Sequence, residues 1–229
     1  MMNCDADMGA CSIVRAEPEE QYQGSGHRKL TVRYVGDPMC SWCWGIPPAV
    51  HGAAEFCALI GVQFSITMGG LRAGGGDPWD AGFKKLIRNE WQHVSKVTGQ
   101  PFGYSLLDAE DFYYDTEPFC RAVATVQDLL LGQDGSEQIV LRFFSAVQKT
   151  LYVDGHDATC TGFYEGPCAE IALDYGNFLR NYEATEARNR VNKAFSRCRH
   201  WGVRSFPTVL IKTIRKQRYL QSVSRQLKS

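Results

Sequence analysis

Two cysteines three residues apart follow directly after a stretch that alternates like a β-strand. Residues 30–36, LTVRYVG, place apolar side chains at every second position. Residues 37–45, DPMCSWCWG, then place Cys40 and Cys43 where apolar spacing changes to that of a helix. Alternation predicts a strand with one face in a core, and the later spacing predicts a helix. A C-x-x-C pair at this junction indicates a redox-active dithiol rather than two cysteines that coincide by chance.

The remaining pattern predicts an α/β domain interrupted by a helical segment. A helix follows the cysteines, and Pro47 and Pro48 are expected to kink it or shift its start. A second strand is predicted over 62–68 and a third over 209–211. Strand, helix and strand in this order begin an α/β layer. Between 77 and 176 the pattern is mostly helical, which predicts an all-helical insertion.

Capping residues and prolines mark the helix starts within the insertion. Asp77 is predicted to cap a first helix, with Pro78 at its first position. Thr116 precedes a second helix, and Ser136 opens a third. A long helix over about 177–201 is predicted to close the insertion and lead into the third strand.

These patterns predict three parts of the chain. Residues 1–29 are polar and lean towards acidic, and are predicted to be a disordered tail. Residues 30–76 and 177–229 form the α/β domain, and residues 77–176 form the helical insertion. Residues 217–223, QRYLQSV, are a candidate fourth strand at an edge of the sheet.

The place of Cys40 at a helix start predicts its chemistry. The unpaired amides of the first turn and the positive end of the helix dipole would face its sulfur. Both favour the thiolate, so the pKa of Cys40 is predicted to lie below the ordinary value. A thiolate there attacks a disulfide of another molecule, and Cys43, one helical turn further on, resolves the mixed disulfide.

Three further residues near the thiols are site candidates or neighbours of the site. Trp42 is predicted to be partly exposed in an apolar rim that contacts polypeptide, and Trp44 is predicted to be packed. Asp37 is a candidate for proton transfer with Cys43. A turn or cap ahead of the helix is the alternative role for Asp37.

Composition excludes several classes of function. Nine cysteines among 229 residues is an odd number in a chain too long for a secreted disulfide scaffold, so a reducing, cytoplasmic compartment is predicted. Four cysteines, namely Cys57, Cys120, Cys168 and Cys198, lie within apolar helical patterns and are predicted to be buried small hydrophobes. The absence of net charge gives no support for nucleic-acid binding, and no apolar run is long enough to span a membrane. A lone C-x-x-C supplies only part of a zinc site, so no metal is predicted.

The motif DPMCSWCWG, with GG after the second strand, PFCRAVA in the insertion and WGVRSFPT near the end, resembles the DsbA-like thioredoxin-fold family. It is most similar to the FrnE-like branch of predicted protein-disulfide isomerases, over residues 30–215. The resemblance implies a thioredoxin fold with a large all-helical insertion. It also implies that Cys40 is the attacking thiol and Cys43 the resolving one. Pro207 would be a cis-proline facing the pair, and the backbone of Phe206 would meet the substrate. A trans-proline that merely starts a strand is the alternative.

The resemblance implies an enzyme that exchanges disulfides with protein or peptide substrates, with no bound cofactor and with glutathione as a candidate co-substrate. The dipeptide Ser41-Trp42 carries no charge, which predicts a moderate redox potential suited to reduction or isomerisation. One alternative is a glutathione-dependent enzyme of the kappa-class transferase or hydroxychromene-carboxylate isomerase type. Those enzymes commonly have serine in place of Cys40 and lack the second thiol, which counts against this alternative. A redox-inactive, peptide-binding relative is the other alternative.

Overall fold

A single mixed sheet forms the centre of the computed structural model, which describes residues 2–4, 11–13, 28–156 and 161–215. Within these residues its strands are β1 (Met2–Cys4), β2 (Cys11–Ile13), β3 (Arg28–Gly36), β4 (Gln63–Met68) and β5 (Thr208–Arg215). Their order across the sheet is β2-β1-β5-β3-β4. β5 is therefore the central strand, and β3 pairs antiparallel with β5 and parallel with β4. These three strands confirm the strands predicted from alternation.

The helices of the described residues are α1 (Ser41–Gly45), α2 (Pro47–Leu59), α3 (Ala81–Thr98), α4 (Glu117–Leu129), α5 (Ser136–Tyr152), α6 (Glu165–Glu170), α7 (Tyr175–Glu183) and α8 (Thr185–His200). Short 3-10 turns span Ser105–Asp108 and Thr161–Tyr164. Helices α1 and α2 connect β3 to β4, and α8 leads into β5. Helices α3 to α7 lie between these two halves. This arrangement confirms an α/β fold with a helical insertion.

Two segments of the predicted disordered tail are strands. β1 pairs antiparallel with β5 and with β2. The polar sequence was expected to exclude order, but strand pairing uses backbone groups and needs no buried side chains. The candidate strand 217–223 lies outside the described residues, and the predicted domain boundaries stay predictions.

The two prolines separate the helix after the cysteines into α1 and α2. Ile46 lies between them, and Pro47 and Pro48 occupy the first turn of α2. Proline is tolerated there because the amides of a first helical turn have no partner within the helix. The predicted shift of the helix start is therefore confirmed. α1 remains a single short segment that contains Cys43.

The predicted cap of the first insertion helix is wrong. α3 begins at Ala81, and Asp80 caps it by accepting a hydrogen bond from the N–H of Phe83 at 2.8 Å. Asp77 instead forms an ion pair with Arg72. Both aspartates suit a cap, and the sequence does not show that Asp77 pairs with a residue outside the helix. The predicted starts of α4 and α5 are confirmed.

The single helix predicted over 177–201 is two helices. The backbone is extended at Ala184, with φ −63° and ψ 145°, between α7 and α8. Arg121 of α4 donates a hydrogen bond to the carbonyl oxygen of Tyr182 at 3.2 Å and lies over the Tyr182 ring. This partner satisfies a carbonyl that an uninterrupted helix would have used itself. The break thus depends on a residue far away in sequence.

Apolar side chains cover both faces of the sheet. Tyr34 faces the ring of Phe144 on α5, whereas the next residue, Val35, packs with Cys198 and Val203 on the α8 side. The alternation along β3 thus separates two layers. The four cysteines predicted to be small hydrophobes are all buried: Cys57, Cys120, Cys168 and Cys198. Among the described residues, no helix has the length and apolar character that a membrane span requires.

Candidate active site

Cys40 is the residue immediately before α1, and Cys43 lies within that helix. The N–H of Cys40 bonds to the carbonyl of Asp37 at 3.0 Å, and the carbonyl of Cys40 accepts from Trp44 at 3.1 Å. This turn and helix bring the two thiols together as a free, unbonded pair. Their exposed fractions are only 5% and 1%, so the reduced pair lies almost entirely below the surface.

Phe206 and Pro207 face Cys40 from the start of β5. The Phe206–Pro207 peptide bond is cis, which confirms the predicted isomer. The sulfur of Cys40 lies 3.5 Å from the carbonyl oxygen of Phe206, within hydrogen-bonding distance. The fold thus brings together two sites that are 166 residues apart in the sequence.

Two glycines after β4 make room for the aromatic residues around this site. A Cβ atom on Gly69 would come within 1.9 Å of the Phe206 ring. A Cβ atom on Gly70, which has φ 72°, would come within 2.7 Å of the Phe195 ring. The N–H of Gly69 bonds to the carbonyl of Gly36 at 2.8 Å, which ties this loop to the end of β3. The GG pair was noted only as part of a family motif, and its packing role was missed.

Asp37 connects the turn before Cys40 to two other segments. Its carboxylate accepts hydrogen bonds from the N–H of Met39 at 2.9 Å and of Leu71 at 2.6 Å. The thiol of Cys120 on α4 donates to it at 3.3 Å. Asp37 is fully buried, and this burial raises the pKa of its carboxyl group. The turn role of Asp37 is therefore present, while its role in proton transfer stays a prediction.

Cys120 is a contact of the site that sequence reasoning missed. It was predicted only to be a small buried hydrophobe, yet its thiol bonds to Asp37. Burial first, and then the Asp37 carboxylate, raise the pKa of Cys120 well above its usual value. This thiol therefore keeps its proton and donates a hydrogen bond to the carboxylate. The motif PFCRAVA contains it, but no local pattern shows which residue it meets.

The predicted lowering of the Cys40 pKa is wrong for this state of the protein. The hydrogen bond with the Cys43 side chain, then burial, and also the charge of Asp37 raise the pKa of Cys40 well above the ordinary thiol value. The backbone N–H of Cys43 acts in the opposite direction, as the helix start predicts, and is outweighed. The sequence reveals the helix end but not the depth at which the sulfur lies.

The two tryptophans have different surroundings, as predicted. Trp44 is buried, donates to the carbonyl of Pro101 at 2.9 Å and stacks on Tyr152. Trp42 is half-buried, and its indole N–H donates to the carboxylate of Glu90 on α3 at 2.8 Å. Helix α3 therefore positions the partly exposed ring next to the cysteines.

Two residues of the insertion hold the turn before Cys40, and both were missed. The hydroxyl of Tyr114 donates to the carbonyl of Met39 at 3.3 Å, and the side-chain amide of Gln148 on α5 donates to that of Pro38 at 3.4 Å. Gln148 is fully buried. Its place among the apolar residues of a helix face was the only sequence signal for such a role. In the part of the chain that the structure describes, no group of three or more His, Cys, Asp or Glu side chains is arranged to hold a metal ion.

A dithiol at a helix start, opposite a cis-proline that begins an antiparallel strand, defines a thioredoxin-fold protein, here with a helical insertion. Among solved structures, a "putative protein disulfide isomerase" from Nitrosomonas europaea has 28% identity and a TM-score of 0.68, over 80% of this chain and 85% of that one. The cytosolic disulfide reductase DsbM from Pseudomonas aeruginosa has 23% identity and a TM-score of 0.62, over 80% of this chain and 88% of that one. A 2-hydroxychromene-2-carboxylate isomerase shares the fold at 12% identity and a TM-score of 0.55, over 79% and 84%.

These similarities confirm the resemblance found in the sequence. The chain has the DsbA-like thioredoxin fold with its helical insertion. No protein-family model matches the chain, and neither does any curated protein.

Proposed function

We propose that the protein is a thiol–disulfide oxidoreductase and isomerase that exchanges disulfides with protein or peptide substrates through Cys40 and Cys43. The observation that carries this proposal is the distance of 3.5 Å between the Cys40 sulfur and the carbonyl oxygen of Phe206. An extended peptide that pairs with the backbone at Phe206 would hold its own disulfide next to that sulfur. Trp42 would contribute an apolar wall to the same site.

The reaction has two steps, and electrons balance at each. The Cys40 thiolate attacks one sulfur of the substrate disulfide, the substrate S–S bond breaks, and the other substrate sulfur leaves as a thiolate. Cys43 then attacks the mixed disulfide, which forms the Cys40–Cys43 disulfide and releases the second substrate thiol. Two electrons pass from the pair to the substrate. In isomerisation a substrate thiol displaces Cys40 from the mixed disulfide instead, with no net transfer of electrons.

The surroundings of Cys40 favour reduction or isomerisation over strong oxidation. A strong oxidant stabilises its reduced form, commonly as a thiolate of low pKa. Here the Cys43 thiol and burial raise the pKa of Cys40. The dipeptide Ser41-Trp42 adds no charge that would compensate. We therefore propose a moderate potential, as in the sequence-based prediction.

Asp37 is proposed to assist proton transfer at the cysteine pair, on the side of Cys40. Its buried carboxyl group, the pKa of which is raised, interacts electrostatically with Cys40. A carboxyl group whose pKa is raised holds its proton more readily and can exchange it during catalysis.

We propose that the redox-active group is the cysteine pair itself, without a bound cofactor, and that glutathione is a candidate electron donor. A structure of the Pseudomonas DsbM described as a complex with GSH supports glutathione as a candidate. We also propose a cytoplasmic location. The description of the Pseudomonas DsbM as a cytosolic protein supports this location.

Alanine variants of the cysteines test the proposal. Cys40→Ala is expected to abolish turnover of a protein disulfide, and Cys43→Ala to accumulate mixed disulfides with substrate, detected on non-reducing gels and by mass spectrometry. Cys57→Ala is the matched control, because Cys57 is also 5% exposed but lies away from the pair on α2. Turnover that survives in Cys40→Ala would refute the proposal. Activity towards an electrophile and glutathione that survives in Cys43→Ala would instead favour the glutathione-dependent alternative.

A further inference from the structure

A small cavity of about 10 Å³ borders Cys43. Polar side chains from three elements line it: Tyr34 of β3, His51 of α2, and Ser145 and Gln148 of α5. The rest of its wall is apolar. Its volume is at the lower limit for one water molecule, which also needs polar partners to stay in place.

Two buried polar atoms in this wall need further hydrogen-bond partners. The Tyr34 hydroxyl and the Oε1 atom of Gln148 form no well-formed hydrogen bond with any residue of the described chain. Tyr34 is 1% exposed and Gln148 is fully buried, and the Nε2 atom of Gln148 is occupied by the carbonyl of Pro38. Native proteins rarely leave such atoms unpaired, and a buried water is the usual partner. Burial, followed by the charge of Cys43 and a weak hydrogen bond with its side chain, raises the pKa of Tyr34, and this contact leaves the Tyr34 hydroxyl short of a well-formed hydrogen bond.

The wall of the cavity also includes a group that can carry a proton to solvent. The Nε2 atom of His51 lies 3.0 Å from the hydroxyl of Ser145, and both residues are half-buried. Burial lowers the pKa of His51, Arg142 acts in the same direction, and Glu55 opposes them. The imidazole is therefore neutral at neutral pH and able to accept a proton.

We propose that one water molecule in this cavity connects the Cys43 thiol with Tyr34, Gln148 and His51, and that the Cys43 proton leaves by this route. The inference rests on the proposed function, because it concerns the step in which Cys43 resolves the mixed disulfide. In that step Cys43 loses its proton to the water, which passes one to His51. The Cys43 sulfur then bonds to the Cys40 sulfur, and the substrate sulfur leaves as a thiolate that is protonated by solvent. Tyr34 and Gln148 are positioning residues for the water.

A chromogenic aromatic disulfide, dithiobis-nitrobenzoate, separates the two steps. Attack by Cys40 releases one coloured thiolate, and resolution by Cys43 releases a second, so the two phases report the two thiols. Subtracting the signal of Cys40→Ala removes the contribution of other cysteines, and loss of the second phase in Cys43→Ala identifies it. His51→Gln is expected to slow the second phase by roughly tenfold, below the usual 10²–10⁴-fold effect of a direct acid–base group because water can replace it in part. The first phase is expected to keep its rate.

Two tyrosines provide a matched comparison. Within the described residues neither the Tyr34 nor the Tyr152 hydroxyl makes a well-formed hydrogen bond, but only Tyr34 lines the cavity. Tyr34→Phe is expected to slow the second phase and to lower the urea midpoint of unfolding, because it removes a hydrogen bond to the water. Tyr152→Phe is expected to leave the second phase unchanged and to leave the midpoint equal or higher.

The pH profile supplies a further measurement. In the wild type, the rate of the second phase is expected to rise with pH through a step below the ordinary histidine pKa of about 6.5, and His51→Gln should remove that step. If neither phase occurs, the proposed function itself fails. If both phases occur and neither His51→Gln nor Tyr34→Phe changes the second, the cavity route is wrong and the proposed function stands. Equal unfolding shifts for the two tyrosine variants would also contradict the water.

Discussion

Two opposing effects act on Cys40, and their balance determines its reactivity. The helix start offers a backbone N–H to the sulfur, whereas the Cys43 side chain, burial and the charge of Asp37 favour the protonated thiol. The second group of effects prevails in the reduced, substrate-free protein. In that state Cys40 is therefore a buried, protonated thiol. The local sequence shows only the first of these effects, because burial depends on the packing of distant segments.

Asp37 gives a prediction for the pH dependence of stability. Burial raises the pKa of this carboxyl group in the folded protein above its unfolded value of about 3.9. The folded state then binds more protons than the unfolded state, so the contribution of Asp37 to stability is complete below the unfolded pKa. It is lost as pH rises through the folded pKa. Asp37→Asn removes this dependence. The difference in unfolding free energy between the wild type and Asp37→Asn is expected to fall with rising pH, in urea titrations.

A surface aspartate provides the control for this titration. Asp108, with a side chain that is 76% exposed, pairs with Arg88 on the surface. Asp108→Asn is expected to leave the pH-dependent loss of stability in place. A difference for Asp37→Asn that stayed constant or grew with pH would contradict the assignment of a raised pKa to Asp37.

Sequence patterns predicted the elements that depend on neighbouring residues and failed where a distant residue decides. Alternation and apolar spacing located β3, β4 and β5, and the prolines located the break between α1 and α2. The predicted cap of α3 and the predicted single helix over 177–201 were wrong. In both places a contact with another element is involved: the ion pair of Asp77 and the hydrogen bond from Arg121. The two cysteines, Phe206 and Pro207 were identified from their motif. The residues that bond to the turn before Cys40 were missed: Cys120 and Tyr114 carry no local signal of these contacts, and Gln148 carries only its place in an apolar helix face.

The loop after β4 gives a prediction about the geometry opposite Cys40. Gly69→Ala places a methyl group where the Phe206 ring now lies, 1.9 Å from its nearest atom. The ring must move, and the carbonyl oxygen that faces Cys40 belongs to the same residue. We expect Gly69→Ala to lower the unfolding free energy by about 1–3 kcal/mol, as overpacking does, and to slow mixed-disulfide formation. Urea unfolding and the first phase of the chromogenic assay measure the two effects.

Gly52 is the matched control for this substitution. It lies within α2, is exposed, and has no atom within 4 Å of the Cβ position. Gly52→Ala is expected to raise the unfolding free energy by about 0.5–1 kcal/mol, because glycine is unfavourable in a helix, and to leave the first phase unchanged. Wild-type stability and reactivity in Gly69→Ala would show that Phe206 does not need this space.

The helical segment between β4 and α8 does more than enlarge the protein, because it holds the active-site turn in place. Tyr114 and Gln148 bond to the carbonyls of that turn, Cys120 bonds to Asp37, and Glu90 bonds to Trp42. All four contacts come from residues between β4 and α8. The burial of the cysteine pair is thus a property of the packing between the sheet and this segment. A C-x-x-C motif alone does not determine it.

This burial leads to a prediction for the redox equilibrium of the protein. Reduction of the Cys40–Cys43 disulfide takes up two electrons, and a Cys40 sulfur that ends as a thiol takes up one more proton than one that ends as a thiolate. Because the Cys43 side chain and burial raise the pKa of Cys40, we expect the proton to be bound. The midpoint potential should then fall by about 59 mV per pH unit between about pH 6 and pH 8, against about 30 mV for a Cys40 thiolate. Equilibration with glutathione buffers at a series of pH values, with the two redox forms separated by thiol alkylation, measures this slope. The Cys57→Ala protein should show the same dependence of midpoint potential on pH as the wild type. A slope near 30 mV across the range would mean that the helix start prevails over burial, and that the site is tuned for oxidation.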